Sequence, residues 1–155
     1  MDPAMISSSI LGVDIYPLCI FSDERGAVMH MLKKNVPPFQ QFGEVYFSKV
    51  NFEIIKAWRS HSKMTQHYAV PVGTILLVIY DGRKNSATYG HIMELKLGES
   101  NYQLITLPPG VWYGFEGLSE PYALVANCTD LPHDPNESTS LPLQNGIIPY
   151  AWKKN

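Results

Sequence analysis

The chain has 155 residues, a formal net charge of -2 and a pI near 6.2, with 45% hydrophobic and 17% charged residues. This is enough chain to bury one core, the composition fits a globular and not a disordered protein, and with no Lys/Arg run beyond two neighbours nothing points to a nucleic-acid surface. Two cysteines, Cys19 and Cys128, make no disulfide framework and read as free thiols of a reducing cytoplasm. No apolar run reaches the length of a membrane span and no basic segment leads into an apolar one. The opening MDPAM has the look of partly vector-derived sequence, with Met5 a second candidate start.

In chain order, Ile15–Phe21 reads as a strand, Ser22–Gly26 (SDERG) as a turn, and Ala27–Leu32 as a second strand. Pro37 and Pro38 open a loop that runs to Gly43. Glu44–Asn51 (EVYFSKVN) alternates polar and apolar residues, as a half-buried strand does, and Phe52–Ala57 continues it. Next comes Trp58–Gly73, WRSHSKMTQHYAVPVG, where Arg59, His61, Lys63, Gln66, His67 and Tyr68 fall within ten residues. Polar groups at the mouth of an apolar β-rich body are the usual make-up of a small-molecule site. Tyr68–Val72 and Thr74–Tyr80 flank Gly73. Asp81-Gly82 marks a turn, with Asp81 and Arg83 expected to order it. Tyr89–Leu97, Tyr102–Leu107, Val111–Phe115 and Tyr122–Asn127 follow as strands, with Pro108-Pro109-Gly110 as a strong turn. Past Asp130 the chain is rich in Pro, Asn and Ser and ends in an apolar IIPYAW anchor. Short strands at regular spacing predict one all-β domain, a sandwich or barrel, over residues 1–155, with 131–155 as a tail packed on it.

The polar stretch is similar to the first cupin motif, H-x-H-x(3,4)-E-x(6)-G, with Arg59-x-His61-x4-Gln66-x6-Gly73 keeping the spacing. The second motif, P-x-G-x2-H, is matched by Pro108-x-Gly110-x2-Tyr113. The resemblance implies a double-stranded β-helix, the cupin jelly roll. Arg59, Gln66 and Tyr113 occupy positions where a cupin keeps metal ligands, and a fixed cation repels a divalent ion, so the expectation is no metal and no other cofactor.

Within the cupins the chain resembles the dTDP-4-dehydrorhamnose 3,5-epimerase family over Ser22 to Trp152. The matching pieces are DERG at 23–26, FGE at 42–44, VGTILLVIYDGRKNSATYG at 72–90 and LPPGVWYGFEGLSE at 107–120. The resemblance implies an isomerase that binds a nucleotide sugar between its sheets as a homodimer, without nucleic-acid or membrane partners. It further implies proton abstraction next to a keto group, which needs a base, an orienting group, an enolate stabiliser and an acid.

An ungapped alignment places Lys56 and Arg59 on the family's Arg and base His, and a shift of two brings His61 to the base position. The acid position falls on Ala126, the orienting Asp on the region Leu143–Gly146, and an inward Asp on Leu77. The expected catalytic set is therefore His61 as base, Tyr113 as acid and Arg59 as enolate stabiliser. Arg25, Lys56, Gln66, Tyr68 and Trp112 are the expected substrate contacts. The alternatives are a non-catalytic sugar- or small-ligand-binding cupin and a cupin enzyme of another kind.

Overall fold

In the computed structural model, residues 5, 6 and 8–152 are described. The first four residues, where the vector-derived reading mostly falls, lie outside the described residues, as do Ser7 and 153–155. Among the described residues the chain forms twelve strands: β1 (Asp14–Pro17), β2 (Ile20–Asp23), β3 (Gly26–Met29), β4 (Glu44–Asn51), β5 (Ile55–His61), β6 (Gln66–Val72), β7 (Thr74–Asp81), β8 (Ile92–Gly98), β9 (Gln103–Leu107), β10 (Val111–Gly117), β11 (Tyr122–Thr129) and β12 (Ser138–Ser140). A single 3-10 turn, Pro135–Glu137, precedes the last strand. No helix among them is long and apolar enough to cross a membrane.

Two five-stranded antiparallel sheets form, in the orders β1-β9-β6-β11-β4 and β12-β5-β10-β7-β8, and β2 and β3 pair as a separate hairpin. From β4 to β7 the chain changes sheet at every strand, and again from β8 to β12. This is the jelly roll of the cupins, and the fold is all-β as the sequence implied.

Alternation places the core between the sheets. In β4 the residues Tyr46, Ser48 and Val50 are more covered than their neighbours Phe47, Lys49 and Asn51. Ile75, Leu77, Ile79, Ile105 and Leu107 pack between the sheets at 0–1% exposure. Leu77 is thus a core residue, and the inward carboxylate aligned there is replaced by apolar packing. The motif glycines have a structural reason. Gly73 and Gly110 adopt φ of 76° and 93°, left-handed values that glycine takes without a Cβ clash. A Cβ on Gly73 would also sit 2.4 Å from Ser119 Oγ.

The predicted strands are displaced at their ends. The span expected from Ile15 to Phe21 divides at Leu18 and Cys19, leaving β1 and β2 on separate sheets. The strand that follows β4 starts only at Ile55 and runs through the polar stretch to His61. Positive φ at Glu53 turns the chain between them. The Asp81 turn is ordered as expected. Arg83 Nε donates to Asp81 Oδ1 at 2.8 Å, and the Ser86 and Thr88 hydroxyls donate to Oδ2 at 2.7 and 2.6 Å. Burial opposes the charge on Asp81, but these donors outweigh it and hold the carboxyl far below its usual range.

The C-terminal segment does more than cover the barrel. Tyr150 and Trp152 pack with Ile148 against Trp58, Val78 and Tyr80 on the outside of the second sheet. Ahead of them, β12 pairs with the edge of β5, setting Ser138 opposite His61 and Ser140 opposite Arg59. The sequence predicted no strand here, because a three-residue Ser-Thr-Ser segment carries no hydrophobic alternation of its own.

Candidate active site

A cavity of about 450 Å³ opens between the sheets. From the first sheet it is lined by Tyr46, Ser48, Tyr68, Val125 and Asn127. From the second come Lys56, Ala57, Trp58, Arg59, Tyr113 and Phe115, with Ser140 at the β12 edge. The register of β5 on β10 slips between Tyr113 and Gly114, so that Tyr113 faces Arg59 while Gly114 faces Ala57. Trp58 is the extra residue of this bulge. A Cβ on Gly114 would lie 2.3 Å from the Ala57 Cβ, so the tight approach of the two strands needs glycine at that point.

His61 lies behind the cavity wall. Its side chain is 4% exposed, and both ring nitrogens are engaged. Nδ1 is 2.6 Å from Glu137 Oε1, and Nε2 is 3.1 Å from the Tyr113 hydroxyl. Glu137 Oε2 in turn accepts the backbone N–H groups of Lys63 and Met64 at 3.0 and 2.8 Å. Burial pushes the Glu137 carboxyl toward neutrality, but hydrogen bonds from His61, Lys63 and Met64 outweigh it and lower its pKa. The ionised carboxylate holds Nδ1 as the protonated nitrogen, so Nε2 is the one that can exchange a proton with Tyr113.

The Tyr113 phenol has one proton and two acceptors for it. One is His61 Nε2, and the other is Gln66 Oε1 at 3.2 Å. Gln66 is fully enclosed and also accepts from Asn127 Nδ2 at 2.9 Å, which donates at 3.0 Å to the Tyr46 hydroxyl as well. A continuous hydrogen-bonded chain therefore runs Glu137–His61–Tyr113–Gln66–Asn127–Tyr46. Burial raises the Tyr113 pKa to about 12. Tyr113 is thus a neutral phenol at rest that can pass a proton between His61 and whatever occupies the cavity.

The predicted site residues divide clearly. Arg59, Lys56, Tyr68 and Tyr113 line the cavity, and His61 and Gln66 support Tyr113 from behind it. Trp112 does not line it. Its side chain points to the opposite face of β10 and packs in the Trp58–Tyr80 cluster, because it alternates with Tyr113 along the strand. Arg25 also lies outside the cavity, on the β2–β3 hairpin. It is highly exposed, and its guanidinium is 2.6 Å from Asp23, as a local turn pair would be.

His61 and Tyr113 were expected as base and acid. They are hydrogen-bonded to each other at 3.1 Å, with Tyr113 on the cavity wall and His61 behind it. The residue that sequence reasoning missed is Glu137. The orienting carboxylate was sought at Leu143–Gly146, whereas it arrives six residues earlier. The signal was present as Asp134-Pro135, where the Asp134 carboxylate accepts from Asn136 N at 3.0 Å and caps the turn that carries Glu137. Ala126 does not line the cavity, although Val125 and Asn127 on either side of it do. Its register partner is the exposed Phe47, so a tyrosine at 126 would project outward.

Among the described residues no three His, Cys, Asp or Glu side chains gather as a metal site. The cupin ligand positions hold a guanidinium, a carboxamide and a phenol. The Arg59 guanidinium faces the cavity with no ion-pair partner among the described residues.

A sequence model described as dTDP-4-dehydrorhamnose 3,5-epimerase matches residues 7–155. The dTDP-4-dehydrorhamnose 3,5-epimerase of Methanothermobacter thermautotrophicus is 30% identical, over 95% of this chain and 82% of its own. The spore coat polysaccharide biosynthesis protein SpsL of Bacillus subtilis is 28% identical, over 91% of this chain and 95% of its own. The crystal structure of a dTDP sugar isomerase from Desulfovibrio desulfuricans superposes with a TM-score of 0.92 at 47% identity, covering 95% of this chain and 94% of that one.

Proposed function

Given that this chain belongs to the dTDP-4-dehydrorhamnose 3,5-epimerase family and is an isomerase, we propose that it moves protons at carbons next to the keto group of a dTDP-linked 4-keto-6-deoxy sugar. The observation that carries this reading is the Glu137–His61–Tyr113 chain ending at the inter-sheet cavity. Such a chain is what proton abstraction beside a carbonyl needs, namely an oriented imidazole with its proton acceptor aimed through a phenol at the substrate.

In this mechanism Tyr113 takes the proton of the carbon acid while its own proton passes to His61 Nε2. The imidazolium formed is stabilised by Glu137, and the electron pair moves onto the keto oxygen. Arg59 stabilises the enolate with a charge that does not titrate. The Lys56 ammonium, placed by Ser48 Oγ and the Lys49 carbonyl at 2.9 Å each, meets the diphosphate. The buried Asn127 Oδ1 has no partner among the described residues, which suits it to accept a sugar hydroxyl. The reaction is proposed to be metal-independent, because the ligand positions carry Arg59, Gln66 and Tyr113. A purely ligand-binding role has no observation in its favour, since a fully oriented imidazole serves no binding purpose behind the cavity wall.

The test is incubation with dTDP-4-keto-6-deoxyglucose in deuterium oxide, followed by NMR. Deuterium is expected at C3, C5 or both. No incorporation at any carbon of this sugar would remove the proposal.

We also propose that the protein works as a homodimer. Phe21 and Val28 on the hairpin, Phe42 in the preceding loop, and Val45 and Phe47 on the outer side of β4 are each 47–65% exposed. Large apolar side chains exposed on the hairpin and along the outer side of an edge strand are what a second chain would cover. Sedimentation equilibrium is expected to give twice the 17.5 kDa chain mass, and a monomer at micromolar concentration would contradict it.

A further inference from the structure

Inversion at a carbon requires that the proton leave one face and return on the other. His61 and Tyr113 share one side of the cavity, so the proposed reaction is incomplete without a second donor on the facing sheet. Ala126, where the family alignment places that donor, does not line the cavity. Four other side chains of the facing sheet do carry a transferable or polar hydrogen there: Tyr46, Ser48, Tyr68 and Asn127.

Three of these are poor donors. The Ser48 hydroxyl is a weak acid and already accepts from Lys56. The Asn127 amide hydrogens are spent on Tyr46 and Gln66. Tyr68 is buried and packs edge-on against Tyr113, with ring centroids 5.8 Å apart, so it belongs to the Tyr113 side of the network. Tyr46 differs from all three. Its oxygen accepts from Asn127 at 3.0 Å, while its own hydroxyl hydrogen has no acceptor among the described residues. It is only partly buried, so it can recover a proton from solvent.

From this arrangement, and resting on the proposed reaction, we infer that Tyr46 is the catalytic acid that protonates the enolate on the face opposite Tyr113. In the forward step the C–H electron pair moves into the adjacent C–C bond and onto the keto oxygen. The C–H proton goes to Tyr113 as the phenolic proton of Tyr113 goes to His61. In the return step the enolate electrons re-form the C=O bond, and the carbon takes the hydroxyl proton of Tyr46. Burial raises the Tyr46 pKa and so keeps the phenol protonated at rest, while the Asn127 N–H and the positive charge of Arg59 act the other way and hold the phenolate that results. Once product leaves, His61 Nε2 returns its proton to Tyr113 as Tyr113 gives one up to water in the cavity, and Tyr46 recovers one from solvent, so the enzyme is restored with no net change.

Register explains why this tyrosine is in place. Tyr46 is the Cα partner of Asn127 across β4 and β11, so both side chains lie on the same face of the sheet. The carboxamide spans from the phenol to Gln66, tying the acid on one sheet to the base unit on the other.

The decisive variant is Tyr46→Phe, assayed with dTDP-4-keto-6-deoxyglucose in deuterium oxide. Deuterium wash-in to the starting sugar is expected to stay within about threefold of wild type, because the base unit is intact. Formation of the inverted sugar is expected to fall about 100-fold. Inversion at the wild-type rate would overturn the assignment, as would wash-in and inversion falling in parallel with dTDP affinity unchanged. Should Tyr46→Phe bind dTDP poorly or melt early, 3-fluorotyrosine at position 46 supplies the second measurement. Its lower phenol pKa is expected to move the basic limb of the inversion profile to lower pH, and an unmoved limb counts against Tyr46. Wild-type enzyme that incorporates no deuterium would instead count against the proposed reaction.

Discussion

Exchanging Glu137 for glutamine is expected to lower kcat about 10³- to 10⁴-fold while KM and dTDP affinity stay within about twofold. The reason lies in what surrounds the carboxylate. Oε2 accepts two backbone N–H groups, from Lys63 and Met64. In Glu137→Gln the amide oxygen must take that position, since an NH₂ group there would oppose two donors. The amide nitrogen is then left facing His61 Nδ1, to which it donates. This forces the imidazole proton onto Nε2, the nitrogen that must accept from Tyr113. The geometry survives and the proton path is blocked. Retention of more than a tenth of the wild-type kcat would show that the carboxylate is not setting the tautomer.

The same carboxylate predicts a pH dependence of stability. Its pKa is lowered in the folded protein. Its contribution is therefore fully present above the ordinary glutamate value of about 4.3, and it is lost as pH falls through the depressed folded value. The gap in melting temperature between wild type and Glu137→Gln is expected to narrow as pH falls below about 4.3.

His61→Asn is expected to reduce deuterium wash-in and kcat about 10³-fold. A residue lining the cavity would alter ligand binding as well. His61 is 4% exposed on its side chain and reaches the cavity only through Tyr113. The expected signature is accordingly a large kcat effect with dTDP affinity nearly unchanged. Isothermal titration with dTDP and the exchange assay separate the two. A large loss of affinity with kcat preserved would place His61 in binding and remove it from proton transfer.

The two sides of the cavity differed in how legible they were. Period-two alternation in EVYFSKVN, the turn signals at Asp81-Gly82 and Pro108-Pro109-Gly110, and the glycines at 73 and 110 are local properties of the chain. They sufficed for an all-β fold. The motif spacing then sufficed for a jelly roll and for placing His61, Arg59 and Tyr113 near one another. The inward faces of β5 and β10 could be read because side-chain direction alternates along a strand. Trp112 was misplaced by that same rule, since it neighbours Tyr113 and so must point away. Arg25 was assigned to the site from a short motif whose local pairing with Asp23 is sufficient to explain it.

What the sequence determined by itself was the period of its strands and the identity of the groups available to the site. Tertiary structure decided which of them meet. Glu137 and His61 are 76 residues apart, and their contact depends on β12 adding to the edge of β5, a pairing that no alternation in Ser-Thr-Ser announces. Tyr46 and Tyr113 come from different sheets, and whether they act on opposite faces of a sugar depends on how the sheets stack. The polar stretch from Trp58 to Gly73 supplied the imidazole, the guanidinium and the carboxamide. The carboxylate that orients the imidazole and the second phenol were brought by distant strands, because hydrogen bonds between sheets are satisfied by position in space and leave no periodic trace along the chain.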